Sequence, residues 1–304
     1  MKCTEISRIF YSKFVFRIKT AAASCSFLCC LVLIFILPKT AGAQESLFVT
    51  YTHHMEETGS LEISTKAVSG FPNGANTFLG NALEFEYGTK AWWTSEFYLD
   101  TQTTVGESSV FTGWRVENRF RTMMKEHWIN PVLYVEFEDI NGADKSLLEV
   151  VGHDGRSDFL ERNNRSERKR EIETRLILSS NFKGWNLSEN LISEKNLSGE
   201  EWEFGYALGI SRPLSLLATP NPCGICRENF SLGAELYGGL GTRHNFGLPD
   251  TSHYFAPVLS FKTFRGPTFM VSPSIGLNDN SHRVLLRFGV AYEIGQVFSR
   301  FSRR

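Results

Sequence analysis

The sequence predicts an all-β protein: an antiparallel up-and-down transmembrane β-barrel of about twelve strands, preceded by a cleavable signal peptide. Runs with apolar or aromatic residues at every second position recur along the chain. A period of two indicates a strand, because successive side chains alternate across a pleated backbone. Beyond the leader, no apolar run approaches the roughly 18 residues of a membrane helix. These features together are typical of barrel strands.

The last predicted strand, residues 283–295, has the clearest alternation. One face is apolar and aromatic: Val284, Leu286, Phe288, Val290, Tyr292 and Ile294. The other face mixes small and charged groups: Leu285, Arg287, Gly289, Ala291 and Glu293. Such a face suits a polar or tightly packed interior, so we assign the apolar face to lipid.

The first 43 residues have the three parts of a signal peptide. A basic leader precedes an apolar run from Ala21 to Leu37, and Ala41 and Ala43 provide the small residues expected before a cleavage site. An uncleaved anchor is the alternative, although this run is at the short limit for spanning a bilayer. We therefore predict 1–43 as signal peptide, 44–59 as an N-terminal periplasmic segment, and 60–304 as the barrel domain.

The charge balance of the mature chain excludes one class of partner. Residues 1–43 contain six of the 32 basic and one of the 33 acidic residues, which leaves 26 basic and 32 acidic groups and a net charge of −6. A protein this acidic is a poor ligand for nucleic acid. The expected partners are outer-membrane lipid, the barrel-assembly machinery and small polar or cationic solutes.

Twelve strands are predicted in order, and the lengths of their connections support that number. We expect strands near 61–65, 83–87, 92–100, 109–121, 132–140, 171–179, 184–192, 201–211, 228–239, 253–264, 268–277 and 283–295. Short connections at 88–90, 181–183 and 265–267 alternate with long ones at 68–80, 141–168 and 240–252, as between periplasmic turns and extracellular loops. The long segment 212–227 breaks this alternation, so ten or fourteen strands remain alternatives.

The inward faces carry more acidic than basic groups. The candidate lumen-lining residues are Glu84, Glu86, Glu96, Arg115, Arg119, Arg121, Glu136, Glu138, Arg175, Glu203, Arg287 and Glu293. A charge inside a barrel must be paired or hydrated, because leaving it buried and unpaired is costly. Two interpretations stay open: ion pairs that close a narrow lumen, and a hydrated pore that favours cations or polar solutes.

Two cysteines remain in the mature chain, in Cys223-Gly-Ile-Cys226. In an oxidising compartment we expect them to form a disulfide that stiffens the turn. A redox CxxC motif and a metal site are the alternatives, but the first lacks its βαβ context and the second lacks further ligands. No metal site, cofactor or catalytic residue is predicted.

Two sets of histidines are candidates for chemical sites. His53-His-Met-Glu-Glu57 offers metal-binding groups, but adjacent histidines on an extended chain point to opposite faces, so a solvated, non-catalytic segment is expected. His127, His153 and Ser157 raise the alternative of a surface hydrolase. They stand in no recognisable nucleophile motif.

Between Leu61 and Gly295 the chain resembles Gram-negative outer-membrane β-barrels of the porin and transporter kind. The segment 126–139, Glu-His-Trp-Ile-Asn-Pro-Val-Leu-Tyr-Val-Glu-Phe-Glu-Asp, is similar to segments in uncharacterised barrels of this sort. The resemblance implies a non-enzymatic channel or small-solute transporter in the outer membrane. A structural or binding barrel with a plugged lumen, a surface hydrolase and a soluble β-sandwich are the alternatives. Such barrels usually end on an aromatic residue, whereas this chain ends at Arg303-Arg304.

Overall fold

A computed structural model describes residues 47–71, 76–143, 166, 168–199, 201–216, 224–264 and 266–297. By its contacts the chain divides into Met1–Lys39 and Thr40–Arg304, and all described residues belong to the second unit. Within the described part of the chain, no helix is long and apolar enough to cross a bilayer. The predicted signal peptide lies outside the described residues, as does most of the loop predicted at 141–168.

Twelve strands account for nearly all of the regular structure in the described part of the chain. They are β1 Leu61–Gly70, β2 Phe78–Lys90, β3 Trp93–Thr104, β4 Ser108–Arg121, β5 Asn130–Asn141, β6 Arg168–Phe182, β7 Trp185–Asn196, β8 Trp202–Pro213, β9 Phe230–Thr242, β10 His253–Lys262, β11 Thr268–Gly276 and β12 Val284–Ile294. A short 3₁₀ helix, Arg227–Asn229, precedes β9.

The twelve strands form one closed antiparallel barrel in which each strand pairs with its neighbours in sequence. Strand β12 closes the ring against β1, from Leu61 opposite Ile294 to Gly70 opposite Leu285. The predicted fold class and the count of twelve are therefore confirmed. The ten- and fourteen-stranded alternatives are wrong, because the long segment between β8 and β9 joins two directly paired strands.

The outside of the barrel is apolar, and the predicted register of β12 is confirmed. Leu286 and Phe288 are exposed, whereas Leu285 and Arg287, which alternate with them, are buried. Tyr292, also predicted to face lipid, is instead buried at the end of the strand, where its ring lies beside Gly266 in the connection between β10 and β11. Large aromatic residues are also exposed near the strand ends: Trp92, Phe111, Trp128, Phe182, Trp185 and Trp202. An apolar band bordered by aromatic residues is the lipid-facing surface of an outer-membrane barrel. The protein is therefore an outer-membrane protein, and we refer to the end where β1 begins and β12 ends as its periplasmic end.

The lipid-facing assignment predicts a position-dependent cost for a charge on β8. Leu208→Arg places a cation on the outer face and should destabilise the barrel by about 2–4 kcal/mol, if residue 208 lies near mid-bilayer. The matched control is Leu197→Arg, an exposed leucine in the turn after β7, where the cost should be about 0–1 kcal/mol. Urea unfolding in phospholipid vesicles measures both. Equal costs at the two positions would contradict the lipid-facing assignment.

Candidate functional site inside the barrel

The segment before β1 lies inside the barrel, and we call residues 47–60 the plug. Leu47, His53 and Glu56 are buried, with relative exposures of 1%, 0% and 6%. This differs from the periplasmic segment predicted for 44–59 and from the solvated segment predicted around His53. The physical reason is that inward-facing side chains of the wall satisfy the polar backbone groups of this segment, which a sequence pattern does not reveal.

A single carboxylate on β9 binds the start of the plug. The Glu235 side chain accepts hydrogen bonds from three consecutive main-chain N–H groups, those of Phe48, Val49 and Thr50, at 3.1, 2.8 and 2.7 Å. Glu235 is 1% exposed. Such charge-assisted hydrogen bonds stabilise a buried carboxylate. They also give acceptors to three backbone N–H groups of the plug that would otherwise be buried without a partner.

Two further side chains of the wall bind the main chain of the plug. The amide of Asn190 accepts a hydrogen bond from the N–H of Tyr51 at 2.8 Å and donates one to its carbonyl at 2.9 Å. The guanidinium of Arg175 donates to the carbonyl of Val49 at 3.1 Å. Side chains of the wall thus take the place of a neighbouring strand along this part of the plug.

Glycines on the wall leave room for the plug. A β-carbon on Gly209 would lie 2.5 Å from Cδ1 of Leu47 and 2.8 Å from Cβ of Thr50. One on Gly233 would lie 2.7 Å from Cδ2 of Leu47. A larger residue at either position would therefore require a local shift of the plug.

The inward faces of β1 to β6 carry most of the buried charges, and we call this region the charged half of the interior. The side chain of Tyr51 connects the plug to it. Its hydroxyl donates to Glu117 at 2.8 Å. The guanidinium carbons of Arg119 and Arg175 lie 5.0 and 5.1 Å from its ring centroid, within cation–π range. The ring therefore contacts two cations of the wall at once.

A network of buried ion pairs spans β2 to β6. The Arg115 guanidinium donates to Asp100 at 2.8 Å and to Glu136 at 3.1 Å. Arg119 forms ion pairs with Glu86, Glu96 and Glu117. The carboxylates of Glu84, Glu86 and Glu96 lie close enough to one another to suggest a metal site. Nζ of Lys66 lies 2.9 Å from the Glu84 carboxylate, and Arg119 pairs with Glu86 and Glu96. Side-chain cations therefore already neutralise the charge that a metal ion would neutralise.

The opposite half of the interior is apolar and aromatic. Val49 of the plug packs into a buried cluster of Val68, Phe78, Ile192, Ala207, Tyr237, Tyr254, Ala256 and Leu285. The rings of Tyr237 and Tyr254 stack at 5.4 Å. The lumen is therefore occupied by the plug and by side chains from both halves of the wall.

The predicted lumen-lining residues all belong to the inward register. Nine are buried: Glu84, Glu86, Glu96, Arg115, Arg119, Glu136, Glu138, Arg175 and Arg287. Arg121, Glu203 and Glu293 are partly exposed near the strand ends. Sequence reasoning missed the role of Glu235 and Asn190 as ligands of the plug. Inward-facing glycines at 209 and 233 were the one available signal, since they imply something close to the wall.

His53 forms an arrangement that superficially resembles a hydrolase site. Its Nδ1 lies 2.7 Å from Oγ of Ser179, and its Nε2 lies 3.0 Å from Glu126. However, Ser179 Oγ also accepts hydrogen bonds from Asn186 at 3.1 Å and Ser188 at 2.8 Å, and the residue is 1% exposed. A serine with its lone pairs engaged and no solvent access is not an activated nucleophile. The contact anchors the plug.

The structure does not test the other predicted candidates for a hydrolase. His153 and Ser157 lie outside the described residues, and His127 has an exposed side chain in the connection between β4 and β5. Cys226 is disulfide-bonded, whereas Cys223 lies outside the described residues, so their pairing stays a prediction.

Comparison with known proteins identifies a fold and no family. No protein-family model matches the chain, and no curated protein matches it. Among solved structures, the COG4313 outer membrane channel from Pseudomonas putida F1 matches with a TM-score of 0.51 and 9% identity, over 83% of this chain and 100% of that chain. The KdgM porin matches with a TM-score of 0.47 and 9% identity, over 76% and 98%. The NanC porin matches with a TM-score of 0.44 and 12% identity, over 77% and 100%. This chain thus has the fold of an outer-membrane β-barrel.

The Glu235 carboxylate should control docking of the plug. Glu235→Gln replaces one acceptor oxygen by a donor and removes the charge, which should weaken docking by about 1–3 kcal/mol. The measurement is the labelling rate of a cysteine at position 50, introduced by Thr50→Cys, with a membrane-impermeant maleimide in vesicles. The labelling rate should rise in Glu235→Gln. It should stay unchanged in the control Glu201→Gln, which changes an exposed carboxylate at the end of the barrel opposite the periplasmic end. Unchanged labelling in both would remove Glu235 from the docking site.

Docking of the plug should also weaken between pH 6.5 and 8. Burial, together with Glu293 and Glu62, raises the pKa of Glu56 from 4.5 to about 8, so the docked plug keeps a proton that the free plug releases. Docking therefore weakens as pH rises from 4.5 to 8. Burial lowers the pKa of His53 from 6.5 to about 4, which weakens docking as pH falls from 6.5 to 4.

Above pH 6.5 the contribution of His53 changes little, so of these two plug residues Glu56 has the larger effect. The midpoint of thermal unfolding of wild type should fall from pH 6.5 to 8, and Glu56→Gln should reduce that dependence. A parallel decline in wild type and variant would assign the pH dependence to another group.

Proposed function

We propose that this protein is a non-enzymatic outer-membrane channel for small solutes, closed by its own N-terminal plug. The observation that carries the proposal is the mode of docking. The first half of the plug is bound through wall side chains, those of Glu235, Asn190 and Arg175, and not through a β-ladder. Such a segment can leave the wall without breaking the sheet, because the backbone hydrogen bonds between the twelve strands do not involve it.

Polar atoms in the interior support a lumen that contains water. The side-chain oxygen and nitrogen of Gln102 and the hydroxyls of Thr104, Ser272 and Ser274 are buried without a hydrogen-bond partner among the described protein atoms. Buried polar groups of this kind bind water, since leaving them bare would be costly. A barrel that served stability alone would gain by an apolar interior, because buried ion pairs rarely stabilise more than well-packed hydrophobic residues.

When the plug leaves, the exposed wall is rich in carboxylates. Within the charged half, Glu84, Glu86, Glu96, Asp100, Glu117, Glu136, Glu138 and Glu173 outnumber Lys66, Arg115, Arg119 and Arg175. Fixed negative charge along a narrow lumen concentrates cations. We therefore propose that the open channel prefers cations and polar solutes.

The alternative is a structural or binding barrel whose lumen stays filled. The buried ion-pair network and the apolar cluster opposite favour this second candidate, because together with the plug they fill much of the interior. A hydrolase receives no support, since Ser179 is enclosed and engaged.

A reversible tether distinguishes the two candidates. In Thr50→Cys/Gly209→Cys, the new β-carbon at 209 lies 2.8 Å from that of residue 50, so about 1 Å of movement gives the roughly 3.8 Å of a disulfide. In planar bilayers the oxidised double variant should conduct no ions. Reduction should restore openings, and their reversal potential in a salt gradient should indicate cation preference.

Each single-cysteine variant and wild type, with and without reductant, serve as controls for the native disulfide. Equal conductance in the oxidised and reduced double variant would exclude the plug as the gate. An absence of conductance in every preparation would favour the filled barrel, and an anion-selective reversal potential would contradict the proposed selectivity.

A further inference from the structure

Glu189 lies on the lipid-facing surface of β7, away from both ends of the strand. Its side chain is exposed, as are those of Leu187 and Leu191, which flank it on the same face. Leu178 lies opposite it on β6. Every other charged residue on the outer face of the described strands lies within two residues of a strand end. Glu189 is therefore an isolated carboxyl group in an apolar band.

The depth of Glu189 follows from its distance to the aromatic border of that band. Trp185 marks the periplasmic border, and Glu189 follows it by four residues on the same face. At about 3.4 Å per residue and a strand tilt of about 40°, the two residues differ in depth by about 10 Å. Because the apolar band of such a barrel is about 25 Å tall, the carboxyl group lies near its middle. Water and lipid headgroups are scarce at that depth.

The described part of the chain provides no hydrogen bond or ion pair for this carboxyl group. Other polar side chains of the outer face are bonded to each other. The Thr65 hydroxyl donates to Asn81 at 2.8 Å, and the hydroxyls of Thr174 and Ser193 lie 2.8 Å apart. A polar group in hydrocarbon without a partner is costly, and such groups mark functional sites in membrane proteins. Glu189 thus points to a partner from outside the chain.

We propose that two copies of this protein associate in the outer membrane through the outer face of β6 to β8, with their Glu189 side chains in contact. Copies that insert with the same orientation hold Glu189 at the same depth. A two-fold axis along the membrane normal beside Glu189 brings the two carboxyl groups together. A carboxyl group that carries its proton is both a donor and an acceptor, so the pair satisfies itself.

The surroundings of Glu189 suit a second copy better than a different membrane protein. A different protein would have to present a polar group at this depth, whereas a second copy does so by symmetry. The flanking leucines carry no polar groups of their own and can pack against the same leucines of the partner. In lipid, hydrogen bonds between such polar groups hold embedded surfaces together. The association is independent of whether the barrel conducts.

Förster energy transfer between labelled copies in phosphatidylcholine vesicles tests the association. Donor and acceptor dyes are attached at Ser198→Cys, in the turn after β7, or at Phe71→Cys, beyond β1 on the opposite side of the ring. Energy transfer should exceed that of randomly distributed barrels, and it should be stronger from Ser198→Cys because the two β7 strands meet. Wild-type protein treated with the same dyes reports any labelling of the native cysteines.

Replacement of the carboxyl group tests its role. Glu189→Leu should raise the dissociation constant of the dimer about three- to tenfold. Glu189→Gln keeps a donor and an acceptor, so it should retain most of the association. The matched control is Thr65→Leu, which removes a polar group from the outer face of β1, opposite β7 in the ring, and should leave the association unchanged.

Energy transfer equal to the random value, or stronger from Phe71→Cys than from Ser198→Cys, would overturn the interface. An unchanged dissociation constant in Glu189→Leu would overturn the role of the carboxyl group. Purified copies that stay apart, while a photo-reactive residue in place of Leu191 cross-links to a protein of different mass in native outer membranes, would assign the face to another partner and overturn self-association. None of these measurements depends on ion conduction, so their failure is distinguishable from failure of the channel proposal.

Discussion

The structure depends on one constraint: in a bilayer, every backbone N–H and C=O group must find a partner within the protein. The pairing of β1 with β12 meets this constraint by removing the open edges of the sheet. Once the ring is closed, the two-residue period of each strand divides its side chains between lipid and lumen. Apolar residues such as Leu286 then face outward and Arg287 faces inward. The enclosed charges are a consequence of closure, and they require partners of their own.

The plug supplies some of those partners. Glu235 would be a buried carboxylate without ligands in an empty barrel, and it receives three backbone N–H groups from the plug. Tyr51 likewise contacts Arg119 and Arg175 through its ring and donates to Glu117. Plug and wall thus stabilise each other in the closed state. Because water could replace the plug at each of these polar groups, the same contacts are consistent with a second, open state.

The charged and apolar halves of the interior have separate tasks in this arrangement. The apolar cluster receives Val49 and gives the plug a fixed depth, as a hydrophobic anchor does at an interface. In the proposed channel, the charged half would set the field along the route that the plug blocks. At the periplasmic end, Glu56 makes docking of the plug sensitive to pH.

The sequence by itself determined the barrel class, the twelve strands and the inward register of residues such as Glu136 and Arg115. These follow from local alternation and from the lengths of connections, which neighbouring residues encode. The tertiary structure alone decided that residues 47–60 enter the lumen. Glu235 is separated from Thr50 by 185 positions, and Ser179 from His53 by 126. No local period reports such pairs, because the plug has neither helical nor strand periodicity and is held by side chains that become neighbours only when the ring closes.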